Sequence, residues 1–328
     1  MTLFTVNETA FGWEEIVAAA EAWGEWPRLV ERTRQALGCL AYAAKTGQLP
    51  SGKEVRAAAT AFRYARNLIS ADEASAWLNA WEMTADEWMN YLRGQWLAER
   101  YAEKLDEIVT THPISDDAVA AVIKHYAICS GLFNQWAQEL AGRAALAAQS
   151  GLPDGAAAAG VASPHDVIAR IETAFAAQRE AALTPQRLQA SIANHRLDWV
   201  RFECRYLQFA DEHIAREAAW CITEDGLTLD EVAADAHRTA QAQCFYLDEL
   251  DAAVRPYFLA ARQGEGLGPL KLHDGFSLFS IVSKQLPCAD DPHIRQRAET
   301  NVIASLMSQA INERVRFAQQ AHGVRASA

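Results

Sequence analysis

The stretch from residue 198 to residue 287 constrains the fold most, because its apolar pattern changes period several times. It opens with Asp198-Trp199-Val200-Arg201-Phe202-Glu203-Cys204-Arg205-Tyr206-Leu207-Gln208-Phe209, a run rich in aromatic and β-branched residues that reads as a strand. A helix follows at about 211–223, and a second begins at Thr228-Leu229-Asp230-Glu231. A short strand at about 241–246 leads into a helix at about 247–262. Two further strands, at about 268–272 and 275–284, close the stretch. Gly264-x-Gly266-x-Gly268 is not a phosphate loop, since no helix start follows and Pro269 leads into a strand. It reads instead as a close approach of backbone to the neighbouring strand. Period-2 character is confined to these runs, which predicts a mostly helical α+β chain with one small mixed sheet.

Residues 1–150 read as helix after helix. Ser70-Ala71-Asp72-Glu73 and Thr84-Ala85-Asp86-Glu87 are capping boxes, and Thr228 to Glu231 is a third. In each, the hydroxyl accepts from the third helical N–H and the glutamate reaches back to the cap. Ala74, Trp77, Leu78 and Trp81 then fall at helical spacing, as do Trp88, Tyr91, Leu92 and Trp96. One long helix is predicted over about 115–149, with Val119, Val122, Tyr126, Cys129, Phe133, Trp136 and Leu140 along one side. A flexible linker is expected at about 150–162, where Gly151-Leu152-Pro153-Asp154-Gly155 begins a small, polar run. Ser163-Pro164 and Thr184-Pro185 each restart a helix with a cap followed by proline at its first position. Residues 290–318 carry a helical stripe of Ile294, Ala298, Val302, Leu306, Ala310 and Val315, which must bury against some partner surface.

The chain has 328 residues, enough for two or three domains, and half of them are hydrophobic. Its formal charge of −12 argues against nucleic acid as a partner and towards a neutral or basic one. No run approaches the roughly 20 apolar residues of a membrane span. Residues 1–8 show neither the basic start nor the apolar core of a signal peptide. The six cysteines are scattered and never spaced CxxC, which fits reduced thiols. These features predict a cytoplasmic location.

Each chemically suggestive residue has two readings. His125 and Cys129 stand at i and i+4, a spacing that can hold a metal, but no third or fourth ligand follows and Cys129 lies on the apolar stripe. No metal and no cofactor is expected. Of ten tryptophans, seven precede residue 100, mostly on helical stripes, so core packing explains them better than a ligand cage. Cys244 as a nucleophile would need a base to lower its pKa, and the sequence places none beside it.

The element order of 198–287, with its closing "GE, two residues, GP, a few residues, DGF, apolar run", resembles the parvulin-type (PpiC-like) peptidyl-prolyl isomerases. Phe62-Arg63-Tyr64-Ala65-Arg66-Asn67-Leu68-Ile69, the Trp77-Leu78 helix, Thr84 to Arg100 and Ile114-Ser115-Asp116-Asp117 resemble the helical region of SurA-type chaperones. The resemblance implies a SurA-like helical domain over 1–195 with 289–328, and a parvulin-like four-stranded sheet domain over 196–288. In organisation the chain is also similar to parvulin-related peptide maturation system proteins, found with ribosomal peptide (RiPP) biosynthesis.

The departures from the family matter for chemistry. Where it carries a histidine on its first strand, this chain has Arg205. Where its last strand carries a second histidine, this chain has Ser277. Cys244 lies near the family's polar cysteine or aspartate. The family's Gly-Gly-x-Leu-Gly segment is replaced by Arg238-Thr239-Ala240-Gln241. An X–Pro amide has to be twisted over a barrier of about 18–20 kcal/mol, and Arg205, Cys244 and Ser277 form a degenerate set for that work. The expectation is therefore a peptide-binding chaperone or recognition protein, with Tyr206, Phe245, Tyr246, Leu267, Phe276 and Leu278 as candidate wall residues. Its expected partners are a peptide or unfolded polypeptide, such as a precursor peptide and its modifying enzyme. The alternatives are an active prolyl isomerase and a structural subunit of a peptide-modifying complex.

Overall fold

The structure, a computed structural model, describes residues 2–150, 163–272 and 275–318. The linker expected at about 150–162, from residue 151 on, and Asp274 of the DGF motif lie outside the described residues. The chain divides into two compact units. One comprises the described residues up to Glu180 with those from Ser305, and the other is Ala181–Ala304.

The first unit opens with a hairpin that the helix-after-helix expectation overlooked. Strands β1 (Thr2–Val6) and β2 (Thr9–Gly12) pair antiparallel, turning at Asn7 with φ +51°. Asparagine tolerates that left-handed geometry better than most residues. Helices α1 (Trp13–Ala22), α2 (Glu25–Thr46), α3 (Gly52–Ala65), α4 (Ala71–Ala80), α5 (Ala85–Arg100), α6 (Leu105–Thr111), α7 (Asp116–Ser130), α8 (Leu132–Ala147) and α9 (Pro164–Ala182) follow. The capping boxes are present as read. Ser70 Oγ accepts from Glu73 N at 3.1 Å and Thr84 Oγ1 from Glu87 N at 3.2 Å, and each glutamate accepts from its cap N–H at 2.7 Å.

The single helix expected over about 115–149 is two helices. Gly131 sits at φ +83° and closes α7 while starting α8. Only glycine adopts that geometry without a Cβ penalty, so it breaks a stripe that looked continuous. The tryptophans pack as the bland reading expected. Trp13 stacks on Phe133 at 4.5 Å between centroids, and Phe62 meets Trp77 and Trp88 edge-on at 5.5 Å.

The second unit contains α10 (Pro185–Asn194), β3 (Arg201–Phe209), α11 (Glu212–Thr223), α12 (Leu229–Asp235), β4 (Gln241–Tyr246), α13 (Arg255–Ala260), β5 (Gly266–Leu272), β6 (Gly275–Gln285) and the first half of α14 (Pro292–Arg314). The sheet order is β4-β3-β6-β5 and every pairing is antiparallel, so the sheet is not mixed as expected. The helix expected at about 247–262 shrinks to the six residues of α13, preceded by a 3₁₀ turn at Leu247–Glu249. The unit is wider than the 196–288 read from sequence. Ile192 of α10 and Ile294 and Ala298 of α14 share one cluster with Trp199.

Both faces of the sheet are covered. On one, Phe202, Cys204, Phe279 and Ile281 pack with Phe245 and Phe258. Phe258 meets Phe202, Phe245 and Phe279 edge-on at 5.5, 5.3 and 5.2 Å, and each such pair is worth about 0.5–1.5 kcal/mol beyond burial. On the other face, Leu207, Phe209 and Leu278 pack with Ala215 and Ala218 of α11 and Val232 of α12. Even and odd positions of β3 thus feed different cores, as strand alternation requires.

The terminal helix divides its contacts. Its C-terminal half belongs to the first unit, where Met307 and Ile311 lie over Gly142 of α8. Strand β7 (Val315–Phe317) then pairs with β1, completing a three-stranded sheet β2-β1-β7. The expected helix over 290–318 therefore ends as a strand, so Val315 belongs to β7 rather than to a helical stripe.

Candidate functional site

Register and alternation decide which candidate residues can act together. Side chains directly opposite in an antiparallel pair share a face. Gln208 pairs with Ser277 and Tyr206 with Phe279, so these four lie on the face with Phe258. Arg205 pairs with Ser280 and points the other way. Its guanidinium meets Asp230 of α12 at 2.6 Å and donates to the Ala240 carbonyl at 3.0 Å. That makes Arg205 a tie between β3, α12 and the segment before β4. Cys244 pairs with Glu203, in the Arg205 phase of the strands, and is exposed. Its sulfur accepts from Arg201 Nε at 2.9 Å. The structure therefore does not bring Arg205 and Cys244 to the face of Ser277. The β3 residue in phase with Ser277 next to Arg205 is Tyr206.

Ser277 is only 2 % exposed. Two glycines crowd its strand. A Cβ on Gly268 (φ +120°) would lie 2.6 Å from the Ser277 carbonyl oxygen, and one on Gly275 (φ +134°) would lie 2.4 Å from that of Phe209. At Gly268 this is the close backbone approach read from the glycine-rich run, and both positions require glycine on steric grounds.

The wall residues read from sequence do not form one wall. Phe245 is 5 % exposed and sits in the aromatic core, while Leu278, at 1 %, sits in the core under α11 and α12. Phe276 is half-buried against that second core. Tyr246 packs towards α10 and α14, with Arg297 over its ring at 3.9 Å. Leu267 and Tyr206 lie half-buried on the Phe258 face, where the Tyr206 ring stacks on Phe279 at 5.9 Å.

Tyr206 also borders a cleft of about 360 Å³ lined by Tyr206, Leu207, Gln208, Arg238, Thr239 and Gln241. The cleft exists because β4 begins at Gln241, opposite Tyr206, while β3 continues to Phe209. Where a longer β4 would have paired, the Arg238 guanidinium donates to the Gln208 carbonyl and lies 5.7 Å from the Phe209 ring centre. The Tyr206 hydroxyl donates to Gln241 Oε1 at 2.5 Å. Gln208, Arg238, Thr239 and Gln241 were absent from the sequence-derived site. Their signal was present in the phase of β3: Phe202 and Cys204 fix the even positions on one face, which separates 206 and 208 from 205.

The chain is similar in part to solved structures of PrsA. The PrsA peptidylprolyl isomerase of Bacillus anthracis matches at 15 % identity and TM-score 0.28, over 66 % of this chain and 96 % of that one. That of Bacillus cereus matches at 14 % and 0.33, over 67 % and 85 %. A structure from work on PEB4 and Cj1289, SurA-like chaperones of Campylobacter jejuni, matches at 14 % and 0.24, over 66 % and 88 %. At these values the likeness carries no functional argument. No family model matches the chain, and no curated protein matches it either.

Among the described residues no three His, Cys, Asp or Glu side chains converge as a metal site would require. Cys129 lies fully buried with its sulfur 3.6 Å from that of Met83, and burial pushes its thiol up to about 12. The neutral thiol is the form favoured there, whereas a metal ligand would be the thiolate. No helix among the described residues is long and apolar enough to cross a membrane.

Proposed function

We propose that this protein is a peptide-binding chaperone or recognition protein whose sheet unit no longer catalyses prolyl isomerisation, and that it assists maturation of a ribosomally made peptide in the cytoplasm. The observation that carries this reading is the scattering of the substituted polar set. Arg205 is committed to Asp230 and Ala240 on one face, while Ser277 is buried on the other. A guanidinium stays charged at neutral pH and cannot shuttle a proton. What remains at the strand edge is a cleft bordered by aromatic, amide and hydroxyl groups, and concave sites of that kind are the usual places for ligands.

The experiment pairs an isomerase assay with peptide capture by the purified full chain. Short X–Pro peptides should isomerise at the uncatalysed rate, while an extended precursor peptide should be retained. A catalysed rate that disappears in Ser277→Ala would establish the isomerase reading instead. Absence of retention for every precursor peptide encoded beside the gene would remove the peptide-binding reading.

A further inference from the structure

We infer that the cleft at the β3–β4 corner is a subsite for a carboxylate carried by an extended peptide, held by Arg238 and Thr239, with the rest of the peptide running along the outer edge of β4. This deepens the proposed function and rests on it. The first observation is the lining. Of the six side chains around the cleft, Arg238 is the single charged one and no acid is present, in a chain with 42 acidic and 30 basic residues. Among the described residues Arg238 faces no carboxylate. Its guanidinium donates, among the described residues, to the Gln208 carbonyl alone, which leaves further donors available in a planar fork suited to a carboxylate.

The second observation is the open edge. Strand β4 is the outermost strand of its sheet, paired with β3 on one side only. Its residues Gln241, Ala242, Gln243 and Cys244 are all exposed. The strand carries no lysine, proline or charge, the devices that normally blunt an edge against pairing. An edge left unprotected can accept an added strand through its free backbone groups. The cleft opens at the first residue of this edge, so one extended peptide can place a carboxylate on Arg238 while its backbone continues beside 241–244. The acidic excess of the chain disfavours anionic peptides elsewhere on its surface, which makes the Arg238 position selective.

The test uses ¹⁵N-labelled full-length protein and four capped or uncapped seven-residue Thr/Val peptides. One carries a central Glu with a C-terminal amide, and one a central Gln with the amide. A third carries the central Gln with a free C-terminus, and the fourth is a Pro-interrupted form of the Glu peptide that cannot add as a strand. The Glu peptide should shift the amide signals of residues 238–244 and bind about threefold to tenfold tighter than its Gln-amide counterpart, the scale of a partly exposed ion pair with a charge-assisted hydrogen bond. Arg238→Gln should erase that gap, leaving the Glu and Gln-amide peptides equal in affinity. A free-terminus peptide as good as the Glu peptide assigns the subsite to a chain end, and a poor one assigns it to a side chain. Equal binding of Glu and Gln peptides overturns the inference, as do shifts confined to the helical unit or retention of the Pro-interrupted form. In those cases peptide binding itself still stands. If no peptide of any composition binds, the proposed function fails with it. Should Arg238→Gln disturb the fold, Arg238→Lys keeps the charge without the fork and should retain part of the gap.

Discussion

Gly94 of α5 and Tyr126 of α7 offer a sharp test of the packing in the first unit. A Cβ on Gly94 would lie 2.5 Å from the Tyr126 hydroxyl oxygen, 3.3 Å from Ala36 Cβ and 3.4 Å from Leu40 Cδ1. The Tyr126 ring cannot easily swing aside, because it is 3 % exposed and meets Tyr91 edge-on at 5.1 Å. Gly94→Ala therefore sets a helix-propensity gain of about 0.5–1 kcal/mol against an overpacking cost of about 1–3 kcal/mol. The single variant should lose about 0.5–2 kcal/mol. The Tyr126 hydroxyl is itself buried with no hydrogen-bond partner, so Tyr126→Phe should be neutral or stabilise by up to about 1 kcal/mol. With the hydroxyl gone, the tightest contacts left to the new methyl are Ala36 Cβ and Leu40 Cδ1 at 3.3 and 3.4 Å, which offset the propensity gain, so Gly94→Ala should there be neutral within about 0.5 kcal/mol. The double-mutant cycle would then show a coupling of about 0.5–2 kcal/mol. Urea denaturation followed by tryptophan fluorescence measures the energies, and hydrogen exchange of 85–100 and 116–130 localises them. Equal destabilisation by Gly94→Ala in both backgrounds would refute the reasoning, because it would mean that the hydroxyl is not what occupies the space.

Three further outcomes follow from the geometry. Phe276→Ala should lower the stability of the sheet unit by about 2–4 kcal/mol, since Phe276 packs on the α11–α12 core, whereas Tyr206→Ala should weaken peptide capture with a smaller stability loss; paired unfolding and binding measurements separate the two. Native protein treated with a thiol-reactive disulfide dye should react at the exposed Cys244 and Cys288 and spare the buried Cys39, Cys129 and Cys204 until denaturant is added, and rapid labelling of Cys129 would contradict its place beside Met83. The capping-box glutamates Glu73, Glu87 and Glu231 are held below the usual carboxylate range by the hydrogen bonds of Ser70, Thr84 and Thr228. A depressed folded pKa means that their stabilisation is complete above the unfolded glutamate pKa of about 4.3 and is lost as pH falls through the folded value. A Glu73→Gln, Glu87→Gln double variant should therefore lose less stability between neutral and acid pH than the parent, which acid titration by circular dichroism measures.

Local signals and long-range ones divided cleanly along this chain. Helix starts at Ser70, Thr84, Thr228 and Thr184 were legible because a cap needs only a hydroxyl and its neighbours three residues on. Strands at about 198–209, 241–246 and 275–284 were legible from their β-branched and aromatic content, and the one at about 268–272 only from its place in the parvulin-like order of elements; the structure has them at 201–209, 241–246, 275–285 and 266–272. The hairpin at Thr2–Gly12 was equally local, with its Asn7-Glu8 turn between alternating runs, and it was hidden only by the helices that follow. The break at Gly131 could not be read, because a glycine within an apolar stripe looks the same whether it continues a helix or ends it at φ +83°.

The site shows the limit most clearly. Its residue types were visible in the sequence, but their convergence depends on register. Strand side chains alternate, so a one-residue difference in alignment moves a residue through the sheet to a different core. Arg205 was read at the family's histidine position, and pairing with β6 sends it to Asp230 instead, leaving Tyr206 in phase with Ser277. Likewise, nothing in the sequence near Gln241 says that β4 stops short of β3, which is what opens the cleft beside Arg238. Composition and spacing therefore determined which elements this chain forms and where most of them begin. Pairing between segments far apart in sequence decided which side chains meet, because a strand's faces acquire meaning only when a partner strand fixes them.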